Sequence, residues 1–166
     1  GYTVETPHFH WDYGSAIPLQ YLDPAATIPA VLTPTCYASD IDENIKVGEM
    51  LDATAKRKGK RVALVVSNAL THLIVRGPDK WPLEEHMAMD HKFIDMVKAA
   101  DVDGALAYLP EYSREAKCEM GGRGLGVFLG ASKALESNTG KLSGAMYGPY
   151  AQSSGSGNAN LSLVPA

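Results

Sequence analysis

Short apolar runs alternate along this chain with stretches in which apolar residues recur at helical spacing. Residues 28–33 and 61–66 are runs rich in branched apolar side chains and are bounded by turn-forming residues, so they predict buried strands. Residues 41–55 have apolar side chains at helical spacing and acidic residues in their first turn, and Gly59 follows them. This pattern is typical of an amphipathic helix with its stop signal. A second helix is predicted from about residue 84 to residue 100. The alternation of strand and helix indicates an α/β fold.

The last third of the chain has a different pattern. Residues 127–135 predict a short helix, and residues 142–150 and 158–164 predict two strands. A Ser- and Gly-rich loop, residues 152–157, joins these strands. The predicted architecture is therefore a mixed or mainly parallel sheet flanked by helices, with a C-terminal β hairpin, in a single domain over residues 1–166.

Composition excludes several classes of partner. The 166 residues are 45% hydrophobic, which is enough for a core, and the net charge of −4 with scattered basic residues argues against nucleic-acid binding. The one basic run, residues 56–61, is typical of a helix C-terminus. No apolar stretch approaches the length of a membrane span. The two cysteines are too few for a disulfide framework, so a reducing, cytoplasmic location is expected.

The candidate for acid–base chemistry is His72, which ends the loop 67–72 directly after the predicted strand 61–66. Ligands of open α/β sheets bind at the carboxyl ends of strands, and imidazole exchanges protons near neutral pH. The alternative is a histidine that is hydrogen-bonded within its own loop. A second candidate is Glu119, a carboxylate followed by a Gly-rich segment; alternatively, it is a surface carboxylate that pairs with Lys117 or Arg123.

Three segments in this order resemble the class III extradiol ring-cleaving dioxygenases. This family includes the β subunit of protocatechuate 4,5-dioxygenase and the catalytic subunit of 2-aminophenol 1,6-dioxygenase. Its Asp-His-Gly turn followed by Pro-Leu corresponds to residues 12–14 with Pro18 and Leu19, and tyrosine replaces the histidine here. Its Gly-Ser-Gly-Gly-Leu-Ser-His loop corresponds to residues 67–72. Its carboxylate metal ligand corresponds in order to Glu119.

This resemblance implies an enzyme that uses Fe(II) to insert both atoms of O2 into a catechol or 2-aminophenol type of ring. It assigns the acid–base role to His72, a hydrogen bond to substrate or oxygen to Tyr13, and metal binding to Glu119. We therefore expect His72 and Glu119 to face a shared pocket. The family takes two histidine ligands from a region before the Asp-His-Gly turn. The resemblance thus implies that this chain corresponds to the C-terminal part, completed by an N-terminal segment or by another subunit in a homo- or hetero-oligomer.

Three alternatives stay open. His8 and His10 are spaced so that both would face one side of a strand, and with Glu119 they match the two-histidine, one-carboxylate composition of non-haem Fe(II) sites. The chain could instead be a non-catalytic partner subunit with the same fold. The third alternative is a relative of the family with another metal-dependent or redox role, and only Cys118 beside Glu119 points to it. A buried cysteine with a packing role is the simpler interpretation of Cys118.

Overall fold

The computed structural model describes residue 8 and residues 10–166, and the chain divides into two compact units, Gly1–Pro34 and Thr35–Ala166. The first unit contains helix α1, Tyr13–Leu22. Asp12 caps this helix, because its carboxylate accepts hydrogen bonds from the backbone N–H and the hydroxyl of Ser15. The extended segment expected near the N-terminus lies almost wholly outside the described residues.

The second unit contains the remaining regular elements. Helices α2 and α3 were expected from their periodicity, and α4 was not. The elements are α2 (Ile41–Arg57), α3 (Glu84–Lys98), α4 (Val102–Glu115), a short 3₁₀ turn (Glu119–Gly122), α5 (Arg123–Thr139), β1 (Leu142–Ser153) and β2 (Ser156–Pro165).

Helix α2 confirms the helix predicted over residues 41–55. Asp40 and Glu43 form a reciprocal capping box at its start, with each side chain accepting the other residue's backbone N–H. Lys56 and Arg57 lie in its last turn, where cations interact favourably with the helix dipole. The basic run therefore belongs to a helix end, as expected.

Helix α4 was missed because Pro110 suggests a break. In the structure Pro110 lies inside the helix, which continues to Glu115. Asp101 stabilises the start of α4 by accepting the N–H of Gly104 at 2.9 Å. Helix α5 is also longer than predicted and begins at Arg123 rather than at residue 127.

Helices α2 and α5 pack closely through glycines. An added Cβ at Gly48 would clash with the carbonyl of Val127, and one at Gly130 would clash with the carbonyl of Ile45. Gly126 is less tightly packed, since its added Cβ would lie 3.3 Å from the Ile41 carbonyl oxygen. The two backbones therefore approach to a distance that side chains would prevent.

The core lies between α3, α4, α5 and the hairpin. Its largest fully buried apolar side chains are Phe93, Val97, Leu109, Tyr112 and Leu129. The aromatic ring of Phe93 stacks on that of Tyr112 with centroids 5.1 Å apart. Helix α3 therefore meets α4 through aromatic contacts.

Strands β1 and β2 confirm the C-terminal hairpin. They pair antiparallel from Leu142 with Pro165 to Ser153 with Ser156, with one irregularity between Tyr147 and Ala151. The long loop predicted over residues 152–157 is wrong. Pairing continues to a two-residue turn in which Ser154 and Gly155 both have positive φ, as type I′ hairpin turns require.

The predicted strands 28–33 and 61–66 are in extended or irregular backbone, but neither forms a ladder with another described segment. Val62 and Val65 are consequently 65% and 46% exposed. The fold among the described residues is thus α/β with five helices and one antiparallel hairpin, and it contains no parallel sheet. A strand needs a backbone partner, and the described residues do not supply one.

None of the described helices combines the length and the apolar character that crossing a membrane requires.

Candidate functional site

Residues 69–72, here called the central segment, form a short stretch outside the helices and the hairpin that is hydrogen-bonded on two sides. On one side it meets the start of β2, where Leu70 N–H donates to the carbonyl of Gly157 and Gly157 N–H donates to the carbonyl of Thr71, both at 2.9 Å. These reciprocal bonds fix the central segment against the hairpin.

On its other side the central segment meets residues 117–119. Thr71 and Cys118 form an isolated antiparallel bridge. His72 N–H donates to the carbonyl of Lys117 at 3.0 Å, and Glu119 N–H donates to the carbonyl of Leu70 at 3.2 Å. The structure therefore places the two residues singled out from the sequence, His72 and Glu119, on paired neighbouring segments.

A buried carboxylate on helix α3 also holds the central segment in place. Asp90 of α3 is fully buried and accepts the backbone N–H of Thr71 at 3.1 Å. It also accepts the hydroxyl of Tyr112 from α4 and that of Tyr150 from β1, each at 2.6 Å. We call Asp90, Thr71, Tyr112 and Tyr150 the Asp90 cluster. It joins three elements at the residue that precedes His72.

Burial dominates the electrostatics of this cluster. Desolvation raises the pKa of Asp90, although the hydrogen bonds from Tyr112, Tyr150 and Thr71 and the charge of His86 act in the opposite direction. Burial together with the neighbouring carboxylate raises the pKa of Tyr150, and burial, helped by Cys118 and Asp90, does the same for Tyr112. Both phenols therefore remain protonated donors to Asp90.

The side chain of Thr71 is fixed as well. Its hydroxyl donates to the carbonyl of Ala116 at 2.5 Å and lies 3.3 Å from Nδ1 of the buried His86. Together with its backbone N–H on Asp90, these contacts leave Thr71 little freedom to move. The backbone of the neighbouring His72 is correspondingly restrained.

His72 itself is half-buried, and its Nδ1 lies 2.9 Å from the hydroxyl oxygen of Ser156. Ser156 is buried at the first position of β2. His72 opens onto a cleft of about 310 Å³, here called the His72 cleft. Its lining consists of His72, Ile74, Arg76, Ser153, Ser154 and Ser156. The volume is at the lower end of the range for small-molecule sites.

Glu119 is half-buried at the start of the 3₁₀ turn. One of its carboxylate oxygens, Oε2, accepts the backbone N–H of Ala69, so the side chain is held against the central segment. Glu119 is not among the residues that line the His72 cleft. His72 and Glu119, which were expected to share a pocket, are thus neighbours through their backbones. The Glu119 carboxylate, however, is hydrogen-bonded to Ala69 and does not line the His72 cleft.

The residues described do not fit a complete Fe(II) site. Within residue 8 and residues 10–166, no three His, Cys, Asp or Glu side chains lie close enough together to hold a metal ion. Glu119 supplies one carboxylate, and one oxygen of it already accepts a hydrogen bond. His8 and His10 are exposed, and both belong to the first unit, so their combination with Glu119 stays a prediction.

The structure also shows the positions of Tyr13 and Cys118, two further residues considered from the sequence. Tyr13 is the first residue of α1 and is 81% exposed, and its role toward substrate stays a prediction. Cys118 is buried, and desolvation raises the pKa of its thiol to about 12. A thiol that stays protonated is a poor nucleophile and metal ligand, which supports a packing role for Cys118.

Sequence reasoning missed Asp90, Tyr112, Tyr150 and Ser156. Asp90 carried a usable signal, because it lies on the same helical stripe as Phe93, Ile94 and Val97, which are all buried. A carboxylate on a buried stripe needs hydrogen-bond partners. Ser156 carried no such signal, since it is 84 positions away from His72.

No model of a known protein family matches this sequence.

Proposed function

We propose that this chain carries the acid–base residue of an extradiol ring-cleaving dioxygenase, which inserts both atoms of O2 into a catechol or 2-aminophenol type of ring. One observation supports it above all: the central segment pairs with residues 117–119 and with β2, which makes His72 and Glu119 backbone neighbours and brings the side chains of His72 and Ser156 together. These positions are far apart in the sequence. The resemblance of the three sequence segments to the class III enzymes supplies the type of reaction.

His72 is the residue proposed to move the proton. In the proposed tautomer Nδ1–H donates to the hydroxyl oxygen of Ser156, so Nε2 is the unprotonated ring nitrogen that takes a proton from a substrate hydroxyl or amino group and returns one later. The hydrogen bond also fixes the orientation of the ring. Tyr13 is proposed to donate a hydrogen bond to substrate or oxygen, which a phenol does without carrying charge.

Fe(II) is the cofactor that such a reaction uses, and it supplies open positions at which substrate and O2 meet. Glu119 is the ligand proposed for this chain. The described residues do not bring a complete ligand set together. The proposal for the described residues therefore concerns proton transfer by His72 and substrate binding in its cleft.

The segments 28–33 and 61–66 are proposed to become strands of a mixed or mainly parallel sheet in the assembled protein. Residues 61–66 lie outside the helices and the hairpin, and the exposed side chains of Val62, Leu64 and Val65 are of the type that a sheet buries. The same observation favours the second candidate function, a non-catalytic subunit that associates with a catalytic chain. The proposal also places the protein in the cytoplasm, which its two free cysteines support.

The proposed function is tested by ring cleavage. The chain is supplied with Fe(II) in excess, because a single carboxylate binds the ion weakly, and with either catechol or 2-aminophenol. O2 uptake above that of an iron-only blank is measured together with the absorbance of the ring-opened product. We expect O2 uptake to match product formation one to one for at least one ring type. Uptake of O2 without a ring-opened product would contradict the proposal. No uptake from the iron-supplied chain, but uptake once a partner chain is added, would support the subunit alternative.

A further inference from the structure

We propose that Tyr150 positions His72 from outside the His72 cleft, and that Trp81 holds Tyr150 in place; this inference rests on the proposed function for the role of His72. Trp81 belongs to residues 77–83, here called the Trp81 loop, which directly precede helix α3. Neither Tyr150 nor Trp81 is among the residues that line the cleft. Both act through the buried carboxylate of Asp90, so they are positioning residues that do not touch a substrate.

The hydroxyl group of Tyr150 connects strand β1 with the backbone just before His72. It donates to Oδ2 of Asp90 at 2.6 Å, and Oδ1 of the same carboxylate accepts the backbone N–H of Thr71 at 3.1 Å. Asp90 is fully buried, so it depends on these donors and on the hydroxyl group of Tyr112. Loss of the Tyr150 hydroxyl group therefore loosens the carboxylate that holds Thr71, the residue before His72.

Gly157 of β2 lies directly against this contact. A Cβ atom added to Gly157 would overlap both the Tyr150 hydroxyl group and the Asp90 carboxylate. The backbone of Gly157 also exchanges two hydrogen bonds of 2.9 Å with Leu70 and Thr71 of the central segment. The phenol, the carboxylate and the central segment are thus packed around one backbone position. Groups packed this closely do not shift independently of one another.

The ring of Tyr150 extends the link to the protein surface. It stacks on the indole of Trp81, with ring centroids 6.3 Å apart and planes inclined by 30°. The side-chain amide of Gln152, on the same strand as Tyr150, donates to the carbonyl of Pro78 and so attaches the Trp81 loop to the hairpin. Trp81 itself is 53% exposed. A half-exposed indole is therefore linked to the buried Asp90 through a single phenol.

Hydrogen exchange at the Thr71 amide tests the link to Tyr150. It is measured by NMR in the metal-free wild-type chain, in Tyr150→Phe and in Tyr147→Phe, the matched control on the same strand, whose hydroxyl group contacts Ser162 at 3.3 Å. The amide of Leu129, a fully buried residue of α5, reports general destabilisation. We expect exchange at Thr71, relative to Leu129, to become about tenfold faster in Tyr150→Phe alone, because one lost hydrogen bond opens the segment locally. Equal acceleration at both amides would overturn the proposal.

The imidazole signals of His72 give a second readout, because a residue with a merely structural role would leave them unchanged. We expect the ring carbon–proton signals of His72 to shift in Tyr150→Phe and to keep their positions in Tyr147→Phe. Unshifted His72 signals in Tyr150→Phe would overturn the proposal, whatever the stability of the variant.

The role of Trp81 is tested by a double-mutant cycle. We expect Trp81→Leu to accelerate exchange at Thr71 about threefold, less than Tyr150→Phe does, because the ring of His91 still contacts that of Tyr150 with centroids 4.9 Å apart. Trp81→Phe, which keeps an aromatic ring, should retain most of the wild-type protection. Because Trp81 acts through Tyr150, adding Trp81→Leu to Tyr150→Phe should change exchange at Thr71 no further. Fully additive effects, or no effect of Trp81→Leu, would overturn the role of Trp81.

Turnover separates this inference from the proposed function. In the iron-loaded enzyme we expect Tyr150→Phe to lower kcat for ring cleavage and to leave KM unchanged, since the cleft lining is intact. If ring cleavage occurs but the Thr71 and His72 signals do not respond to Tyr150→Phe, the positioning role is refuted while the dioxygenase function stands. If both signals respond as expected but the wild type cleaves no ring, the link to His72 stands and the dioxygenase function is refuted.

Discussion

At the scale of single residues, the arrangement around His72 depends on two side chains. Asp90 accepts the N–H of the preceding residue, Thr71, and Ser156 lies beside the imidazole. His72 and Glu119 could be singled out from the sequence because they follow recognisable local patterns. The burial of Asp90 could have been predicted from its helical stripe, but the hydrogen-bond partners of Asp90 and Ser156 could not, since they come from other elements. A buried hydrogen bond between distant positions leaves no periodic trace in a sequence.

Asp90 gives a pH dependence of stability with a definite sign. Its pKa is raised in the folded chain, so its contribution to stability is complete below the ordinary carboxyl pKa and declines as pH rises through the folded value. We predict that the free energy of unfolding of the wild type, relative to Asp90→Asn, falls between pH 4 and pH 7. Denaturation in urea at both pH values measures it, with Asp95→Asn, an exposed site of α3, as the control. A difference that grows with pH would show that hydrogen bonding, not burial, dominates.

Ser156 lies beside Nδ1 of His72, and we expect it to orient the proposed acid–base residue. Replacing Ser156 with Ala removes one hydrogen bond to Nδ1, which corresponds to a loss of about two- to tenfold in kcat. We also expect Ser156→Thr, which keeps the hydroxyl group, to lose less kcat than Ser156→Ala. Ser162→Ala, on the same strand but bonded to Tyr147, is the matched control. An unchanged kcat in Ser156→Ala would mean that this contact does not position the imidazole.

At the scale of elements, the helices and strands that depend on local signals could be predicted from the sequence. The capping box of α2, the apolar stripe of α3 and the alternation of the hairpin are all set within a few residues. Helix α4 was not predicted, because proline usually interrupts a helix. In the structure the helix continues through Pro110, and Leu109 and Tyr112 on either side of it are buried in the core. That residues 61–66 form no ladder with another described segment could not be predicted, since the apolar content of a segment does not specify whether a partner is present.

The contact between α2 and α5 gives a prediction at this scale. Gly130→Ala should lower the free energy of unfolding by about 1–3 kcal/mol, because the new methyl group would overlap the carbonyl of Ile45. Gly126→Ala is the matched control in the same helix, where the added methyl group has more room. Urea denaturation of both variants measures the difference. A gain in stability at Gly130, as alanine gives in an unhindered helix, would contradict the close approach of the two backbones.

At the scale of the whole molecule, the described residues contain His72, the proposed acid–base residue, but no complete metal site. We therefore predict weak Fe(II) binding by the 166-residue chain, because a single carboxylate leaves the ion mostly hydrated. Anaerobic calorimetric titration measures it. Tight one-to-one binding that is lost in His8→Ala or His10→Ala would show that these two histidines complete the site with Glu119.

The central claim is that His72 transfers protons and that Glu119 binds the metal. The most direct test measures turnover and iron content together in His72→Gln and Glu119→Gln of the active, iron-loaded enzyme. The account predicts that His72→Gln retains iron and loses about 100-fold or more in turnover, the usual scale of general acid–base catalysis, whereas Glu119→Gln loses iron. Loss of iron in His72→Gln together with full iron in Glu119→Gln would contradict both assignments.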